Sequence, residues 1–348
     1  MATIAAASPT DIPPALHTLE QAVNTQGLYA VGFLTYEAAA AFHLTTHSPS
    51  PDNLPLLWFG LFPEPQILPH LPSPTESFTA SSWQPSLDAA AYTTAIHAIK
   101  EQIALGNSYQ VNYTFPLQAA FTGSAYALFY RLAQAQQASY TAYLDLGRLA
   151  VCSASPELFL GLDGARLWSK PMKGTMERGR DPISDEQNRL ALYHSDKNRA
   201  ENVMIVDMIR NDMGRVCRTG SVQVPQLFAT EPYPTLWQMT STVTGQTTAP
   251  LSDILTAMFP CASITGAPKV RTMAIIKELE PRPRSLYTGS IGYIAPGRQA
   301  QFNVAIRTAL VDRATGQARY HVGSGIVWDS DAAAEWQECL LKARILVG

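Results

Sequence analysis

The sequence predicts an α+β fold, with antiparallel sheets carrying helices on their outer faces. Strand-like runs near 221–228, 236–244, 286–294, 301–311 and 317–324 follow one another without a helix regularly interposed, the order of antiparallel strands rather than parallel crossover units. Helical periodicity marks 88–105 and 124–137, and again 195–217 and the C-terminal "SDAAAEWQECLLKARIL". With 46% hydrophobic and 15% charged residues, 348 residues can bury a large core.

Patterned segments begin at "GLYAVGFLTYEAAAAF" and continue through the strand-like "SYQVNYTFPLQ" and "YTAYLDLG". The Pro/Ser-rich stretches 47–55 and 70–86 read as loops, because patterned segments flank both. No internal repeat is visible. The net charge of −3, from 25 basic and 28 acidic residues without a long run of either, offers no footprint for nucleic acid or an anionic membrane. The four cysteines, at 152, 217, 261 and 339, lack metal-site spacing and read as reduced thiols. No signal peptide or stretch of about 18 apolar residues is found, so a cytoplasmic protein handling a small molecule is expected.

Four segments carry candidate chemistry. In "SKPMKGTMERGR", Lys173 stands between Pro171 and Gly174, where turn chemistry alone makes it a solvated loop charge. In "SDKNRAENVMIVDMIRNDMGRVC", Met204, Ile205, Met208 and Ile209 define a buried helical stripe that includes Glu201, with Gly214 as a C-terminal cap and Asp207, Arg210 and Asn211 on another face. The C-terminal helix places Glu335, Glu338 and Lys342 on one face and Trp336, Cys339, Leu340 and Ala343 toward the core. Upstream of it, Gly323 and Gly325 permit close approach of a ligand to backbone. One glutamate from each helix could hold Mg²⁺, which takes few protein carboxylates. In "ITGAPKVRTMAIIKELEP", Pro268 takes the first helical turn and the amides around Thr265 to Ala267 form a candidate anion site; Arg307, read as a buried-strand arginine, suggests a pocket for carboxylates.

Together "SPELFLGL", "KPMKGT", "AENVMIVDMIRNDMGRV", "SITGAPKVRTM", "SLYTGSIGYI", "NVAIRTAL" and "GSGIVWDSD…EWQECLLKA" resemble the chorismate-utilising enzymes, from about residue 90 to the C-terminus, and within them the aminodeoxychorismate synthase component I subfamily. The resemblance implies a single catalytic domain over 1–348 with a shortened N-terminal part (about 1–86) and a core at about 88–348. It implies the anthranilate synthase component I-like fold, two large antiparallel β-sheets packed face to face with helices on the outer faces. It also implies Mg²⁺, chorismate and ammonia, the last delivered by a glutamine amidotransferase subunit. By position, Glu201 and Glu338 match metal ligands with Glu335 beside them. Tyr287 and Arg307 match the holders of the pyruvyl carboxylate, Gly323 and Gly325 match backbone contacts to the ring carboxylate, and Thr265 matches a pocket-lining residue. Lys173 matches the nucleophile that adds at C2, its pKa expected to be lowered with help from arginines such as Arg178, and Glu157 matches the acid that protonates the departing C4 hydroxyl.

Relatives that aminate C2, the anthranilate synthases, usually carry alanine where Lys173 stands. Isochorismate and salicylate synthases usually carry lysine at the position of Gln110. The chain departs from the family at Gln238, often histidine, and at Cys261-Ala262, often a glycine-rich pair. Two rival expectations stand beside the main one: anthranilate synthase component I, and a non-catalytic chorismate-binding subunit.

Overall fold

The computed structural model describes residues 2–49, 54–234 and 236–346. Residues 50–53 of the first Pro/Ser-rich stretch lie outside them. Two antiparallel sheets, one of ten strands and one of eight, form the centre. In the larger, Ala2–Ala6, Leu57–Phe62, Tyr29–Leu34, Ser290–Ala295, Gln299–Val304, Leu158–Asp163 and Arg166–Lys170 lie side by side. Arg166–Lys170 and then Met172–Glu177 pair with the long strand Leu236–Gln246, which also pairs with Gln223–Pro232. In the smaller, the order is Gly266–Ala267, Gln110–Gly123, Gln317–Ile326, Thr308–Asp312, Leu149–Ser155 and Tyr140–Asp145, with Phe78–Ala80 and Gln84–Pro85 also on Gln110–Gly123.

Side-chain alternation sorts the core into layers. Val31 and Phe33 point between the sheets with Leu149, Val151, Ile291 and Leu310. Their neighbours Ala30 and Leu34 face outward against helices Ile12–Gln26, Asp196–Gly214 and Leu251–Met258. Likewise Ala150, Cys152 and Ala154 face helices Ala89–Ala104, Ala125–Gln136, Lys269–Leu279 and Ala332–Lys342. Fully buried side chains such as Phe33 contribute ~1.5–3 kcal/mol each, so these layers fix how the sheets sit. The N-terminal segment belongs to this body, supplying strands to one end of the larger sheet.

The helices at 88–105 and 124–137 form as expected, capped by Asp88 and Ser124, whose side chains accept from the amides of Ala91 and Ala127. Several boundaries differ. The run 301–311 is not one strand: it divides into Gln299–Val304 in the larger sheet and Thr308–Asp312 in the smaller, and Arg307 lies between them at φ 52. The run 286–294 becomes a strand only at Ser290, leaving Tyr287 in the preceding turn. Gly214 is the last helical residue rather than a left-handed cap, which Arg215 follows in ordinary helical geometry. All four cysteines are free thiols, and no helix among the described residues is long and apolar enough to cross a membrane.

Candidate active site

Lys173 is not in a free turn. Arg166 lies opposite Gln246 and Met172 opposite Thr240, but Thr175 lies opposite Gln238, so one extra residue is accommodated at Lys173–Gly174. Such a bulge re-aims a side chain. Gly174 takes φ 96, which favours glycine, and a Cβ there would press on the Asn198 side chain at 3.0 Å. The residue is half-buried overall, while its amine end is enclosed. A Cβ on Gly325 would stand 3.0 Å from Lys173 Nζ, 2.9 Å from Gln110 Nε2 and 2.8 Å from Asn112 Oδ1, so the missing side chain at Gly325 makes the space these groups share. Burial lowers the Lys173 pKa; Lys342 pushes the same way, while Glu201, Glu157 and Glu338 oppose. Arg178 has no part in this. Its guanidinium pairs with Asp185 at 2.6 Å and lies over the Trp237 ring, and Lys342 is the cation that acts on Lys173 instead.

Glu157 sits where the chain passes from Leu149–Ser155 in the smaller sheet to Leu158–Asp163 in the larger. Its carbonyl accepts from the Val304 amide at 3.0 Å, which pins the turn. The carboxyl is buried, and burial raises its pKa to about 7 against the opposing pull of the Ser263 hydroxyl, the Lys173 amine and the Met172 amide. Its Oε1 has no hydrogen-bond partner among the described residues.

Glu201 lies on Asp196–Gly214, capped by Ser195, but the stripe differs from expectation. The fully buried positions are Asn202, Ile205, Val206, Ile209 and Met213, while Met204 and Met208 line a surface groove with Tyr109, Val203 and Phe228. Asp207 and Arg210 form an exposed pair at 2.9 Å. Burial raises the Glu201 pKa, Lys173 and Lys197 oppose it, and Glu335 and Glu338 push it further up, so three carboxylates share one charge neighbourhood. They do not converge as a three-carboxylate ligand set, and among the described residues no three His, Cys, Asp or Glu side chains are so placed. Glu335 accepts from Ser330 Oγ at 2.7 Å. Glu338 pairs with Lys342 at 2.7 Å, as the helix-face spacing suggests; burial raises its pKa, but Lys342, Lys173 and Lys197 together hold it lower.

The remaining expected residues come from a strand of the smaller sheet and from the turns that lead into or between the sheets. Gly323 and Gly325 share a face of Gln317–Ile326, and Lys342 Nζ donates to the Gly323 carbonyl at 2.8 Å. A Cβ on Gly323 would strike the Tyr113 carbonyl and the Thr114 methyl, both at 2.6 Å. Arg307 is half-buried and donates to the Lys342 carbonyl. It is therefore no arginine locked in a strand with an anionic partner. Burial raises the Tyr287 pKa, and the nearby charges of Arg284 and Arg307 work against this. Thr265 is fully buried and its hydroxyl bonds to the carbonyls of Cys261 and Ala262. The expected anion site there is overturned: Gly266–Ala267 pairs with Gln110–Val111, and the helix starts only at Lys269, leaving Pro268 as its cap.

Sequence reasoning gives no site role to Lys342 or Ser263, and reads Gln110 as the position where related synthases carry a lysine. The position of Lys342 four residues after Glu338 was the available signal for the first. Gln110 is fully buried with neither end of its amide hydrogen-bonded among the described residues. A distance through the fold, not a spacing in the chain, brings it to Lys173.

Residues 3–348 match the model of the chorismate binding enzyme family. The chain belongs to that family. It is 43% identical over 278 residues, 79% of its length, to aminodeoxychorismate synthase component 1 of Escherichia coli (strain K12), and 40% identical over 76% of its length to the protein of the same name in Bacillus subtilis (strain 168). These matches cover 61% and 56% of those relatives, so the chain spans about six tenths of their length. Among solved structures, anthranilate synthase component I from Streptococcus pneumoniae TIGR4 superposes with a TM-score of 0.82 at 23% identity, covering 96% of this chain and 85% of that one. MenF, the menaquinone-specific isochorismate synthase of Escherichia coli, gives 0.79 at 21% identity, covering 100% and 84%. The expected α+β arrangement of two packed antiparallel sheets is thus the fold of this chorismate binding enzyme.

Proposed function

We propose that this chorismate binding enzyme aminates chorismate at C4, giving 4-amino-4-deoxychorismate on the route to para-aminobenzoate, as an aminodeoxychorismate synthase component I supplied with ammonia by a glutamine amidotransferase subunit. The observation that carries the reading is that Lys173 and Glu157 are both enclosed and feel each other's charge, burial lowering the pKa of the amine and raising that of the acid. A neutral amine and a protonated acid are the forms that nucleophilic attack and leaving-group protonation need. The names of the relatives, sharing about 40% identity, support the same assignment.

In the proposed sequence, Lys173 Nζ bonds to C2, the ring double bond shifts, and the C4 hydroxyl departs as water with the proton of Glu157. The proton left on the lysine nitrogen passes to the Glu157 carboxylate. Ammonia then bonds to C4 as the C2–N bond breaks; Glu157 gives its proton to the departing lysine nitrogen and takes one from the new C4 ammonium, so Lys173 regains its amine and Glu157 its proton. The sum is chorismate plus ammonia to 4-amino-4-deoxychorismate plus water. Arg307 and Tyr287 hold the pyruvyl carboxylate, the Gly323–Gly325 strand receives the ring carboxylate, and the buried Thr265 shapes the pocket wall.

The donor set fits Mg²⁺ held by Glu201 and Glu338, with Glu335 beside them. Burial chiefly raises the Glu201 pKa, and Glu335 and Glu338 add to it against Lys173 and Lys197; a cation would offset both the burial and the carboxylate repulsion, and two carboxylates leave positions for substrate oxygens. When bound, the ion supplies charge stabilisation at the ring carboxylate.

Incubation with chorismate, Mg²⁺ and ammonium, followed by mass identification of the product, tests the reading. The expected product retains the enolpyruvyl group. Anthranilate would assign C2 amination, and unchanged chorismate that nevertheless binds would assign a non-catalytic subunit.

A further inference from the structure

The odd-numbered positions of Gln317–Ile326 form the face on which Gly323 and Gly325 meet the pocket, while the even-numbered ones are buried in the core. His321 continues that row. Its ring stacks on Tyr287, with centroids 5.1 Å apart and planes 13° from parallel. Tyr287 belongs to a turn, tied by its amide to the Arg284 carbonyl at 3.2 Å and followed by Thr288 at φ 60, so sheet geometry does not fix its side chain. Neither the Tyr287 hydroxyl nor a His321 ring nitrogen has a hydrogen-bond partner among the described residues, and His321 is the ring that faces Tyr287.

We propose that His321 is a positioning residue for substrate: by stacking, it holds the Tyr287 ring in the orientation from which Tyr287, with Arg307, receives the pyruvyl carboxylate. The inference rests on the chorismate-aminating reading above. Burial, with Arg319 and Arg284 nearby, pushes the His321 pKa down to about 3. The ring therefore stacks as a neutral aromatic at physiological pH and adds no third cation beside the arginines. Stacked aromatic pairs contribute beyond the area they bury, and here that contribution favours one orientation of a side chain that stands on a turn rather than on a strand.

Two substitutions separate a stack from its alternatives. His321→Phe keeps an aromatic face and removes the ring nitrogens; His321→Gln keeps polar atoms and removes the face. Equilibrium binding of chorismate and thermal unfolding are measured for both and for wild type. The expected result is a Kd within twofold of wild type for the phenylalanine variant and about three- to tenfold weaker binding for the glutamine variant. The loss should vanish when Tyr287→Ala is already present, because the stack then has no second ring. Weaker binding by the phenylalanine variant than by the glutamine variant overturns the proposal in favour of a ring-nitrogen contact. Equal binding by all three overturns it outright, as do changes in unfolding temperature without a change in Kd. Wild-type protein that binds no chorismate overturns the chorismate reading and this inference with it, an outcome distinct from normal wild-type binding with unaltered variants.

Discussion

Two buried acid–base pairs in this molecule have opposite characters. Glu280 and Arg284, four residues apart in the chain just beyond the end of Lys269–Leu279, form a fully enclosed salt bridge at 2.7 Å. The guanidinium donates to both Glu280 oxygens, to the carbonyls of Asn112 and Ile264 and to Thr288 Oγ1, and it lies over the Tyr36 ring. Glu280 also accepts from the Thr114 amide and hydroxyl. Lys173 and Glu157 are enclosed as well, yet no salt bridge joins them, and Glu157 keeps an unpartnered oxygen. Orphaned polar atoms alone do not distinguish the two places, since Tyr36 Oη and Glu37 Oε2 beside Arg284 are orphans too. The difference lies in the charge. A satisfied ion pair keeps its protons fixed and holds structure, whereas an enclosed, unpaired acid and base can exchange a proton with something else.

The largest effect that can break this contrast is on turnover. Lys173→Ala is expected to lower formation of the C4-aminated product by at least about a thousandfold, while the protein stays folded. Product mass and circular dichroism check it, and wild-type turnover would return Lys173 to a structural role. Arg284→Ala should do the reverse, reducing the unfolding free energy by ~3–5 kcal/mol, because Glu280 is then left buried without its counter-charge. Urea denaturation measures it, and a loss below 1 kcal/mol would contradict the description of the pair.

A third, smaller effect depends on pH. Folded Glu157 keeps its proton up to about 7, whereas the unfolded chain releases it near 4.5. The folded state thus binds more protons across that window, so this group's contribution is favourable below it and is lost as pH rises through it. The change amounts to at most ~3 kcal/mol. Glu37, also raised to about 7 by burial, adds a slope of the same sign. Glu157→Gln should therefore flatten, without abolishing, the decline in stability between pH 5 and 8; an unchanged slope would show that Glu157 is not raised. At the small end, Arg210→Ala removes an exposed pair with Asp207 and should shift stability by no more than ~0.5 kcal/mol in the same denaturation assay.

The sequence was legible where local periodicity and packing agree. The caps at Asp88 and Ser124 and the alternation in Tyr29–Leu34 and Leu149–Ser155 are local signals that the fold leaves intact. Legibility failed where the chain changes sheets. The strand pattern runs unbroken through 301–311 because both halves are buried, and no residue type announces that Arg307 turns left-handed. The "GA" of "ITGAPK" resembles a helix entry, yet pairing with Gln110–Val111 claims it. Among candidate site residues, motif resemblance located Lys173, Glu157 and Glu201, but the electrostatic role assigned to Arg178 belongs to Lys342. Proximity in sequence had suggested the first; a helix from the other end of the chain brings the second.

The seam at residues 305–307 has a consequence for what the protein can tolerate. The Ala305 amide bonds to the Gly289 carbonyl and the Thr288 amide to the Ala305 carbonyl, while the Arg307 carbonyl accepts from Ala154, so the few residues joining the two sheets are stitched to both on the way. Tyr287 and Arg307 flank that stitching. Surface loops elsewhere absorb added residues readily, but one residue inserted here would break these bonds or slip one of the two flanking strands against its partners. Single-residue insertion scanning should therefore succeed at loop positions and fail between Val304 and Thr308, making the seam visible as a gap in any library of functional insertion variants.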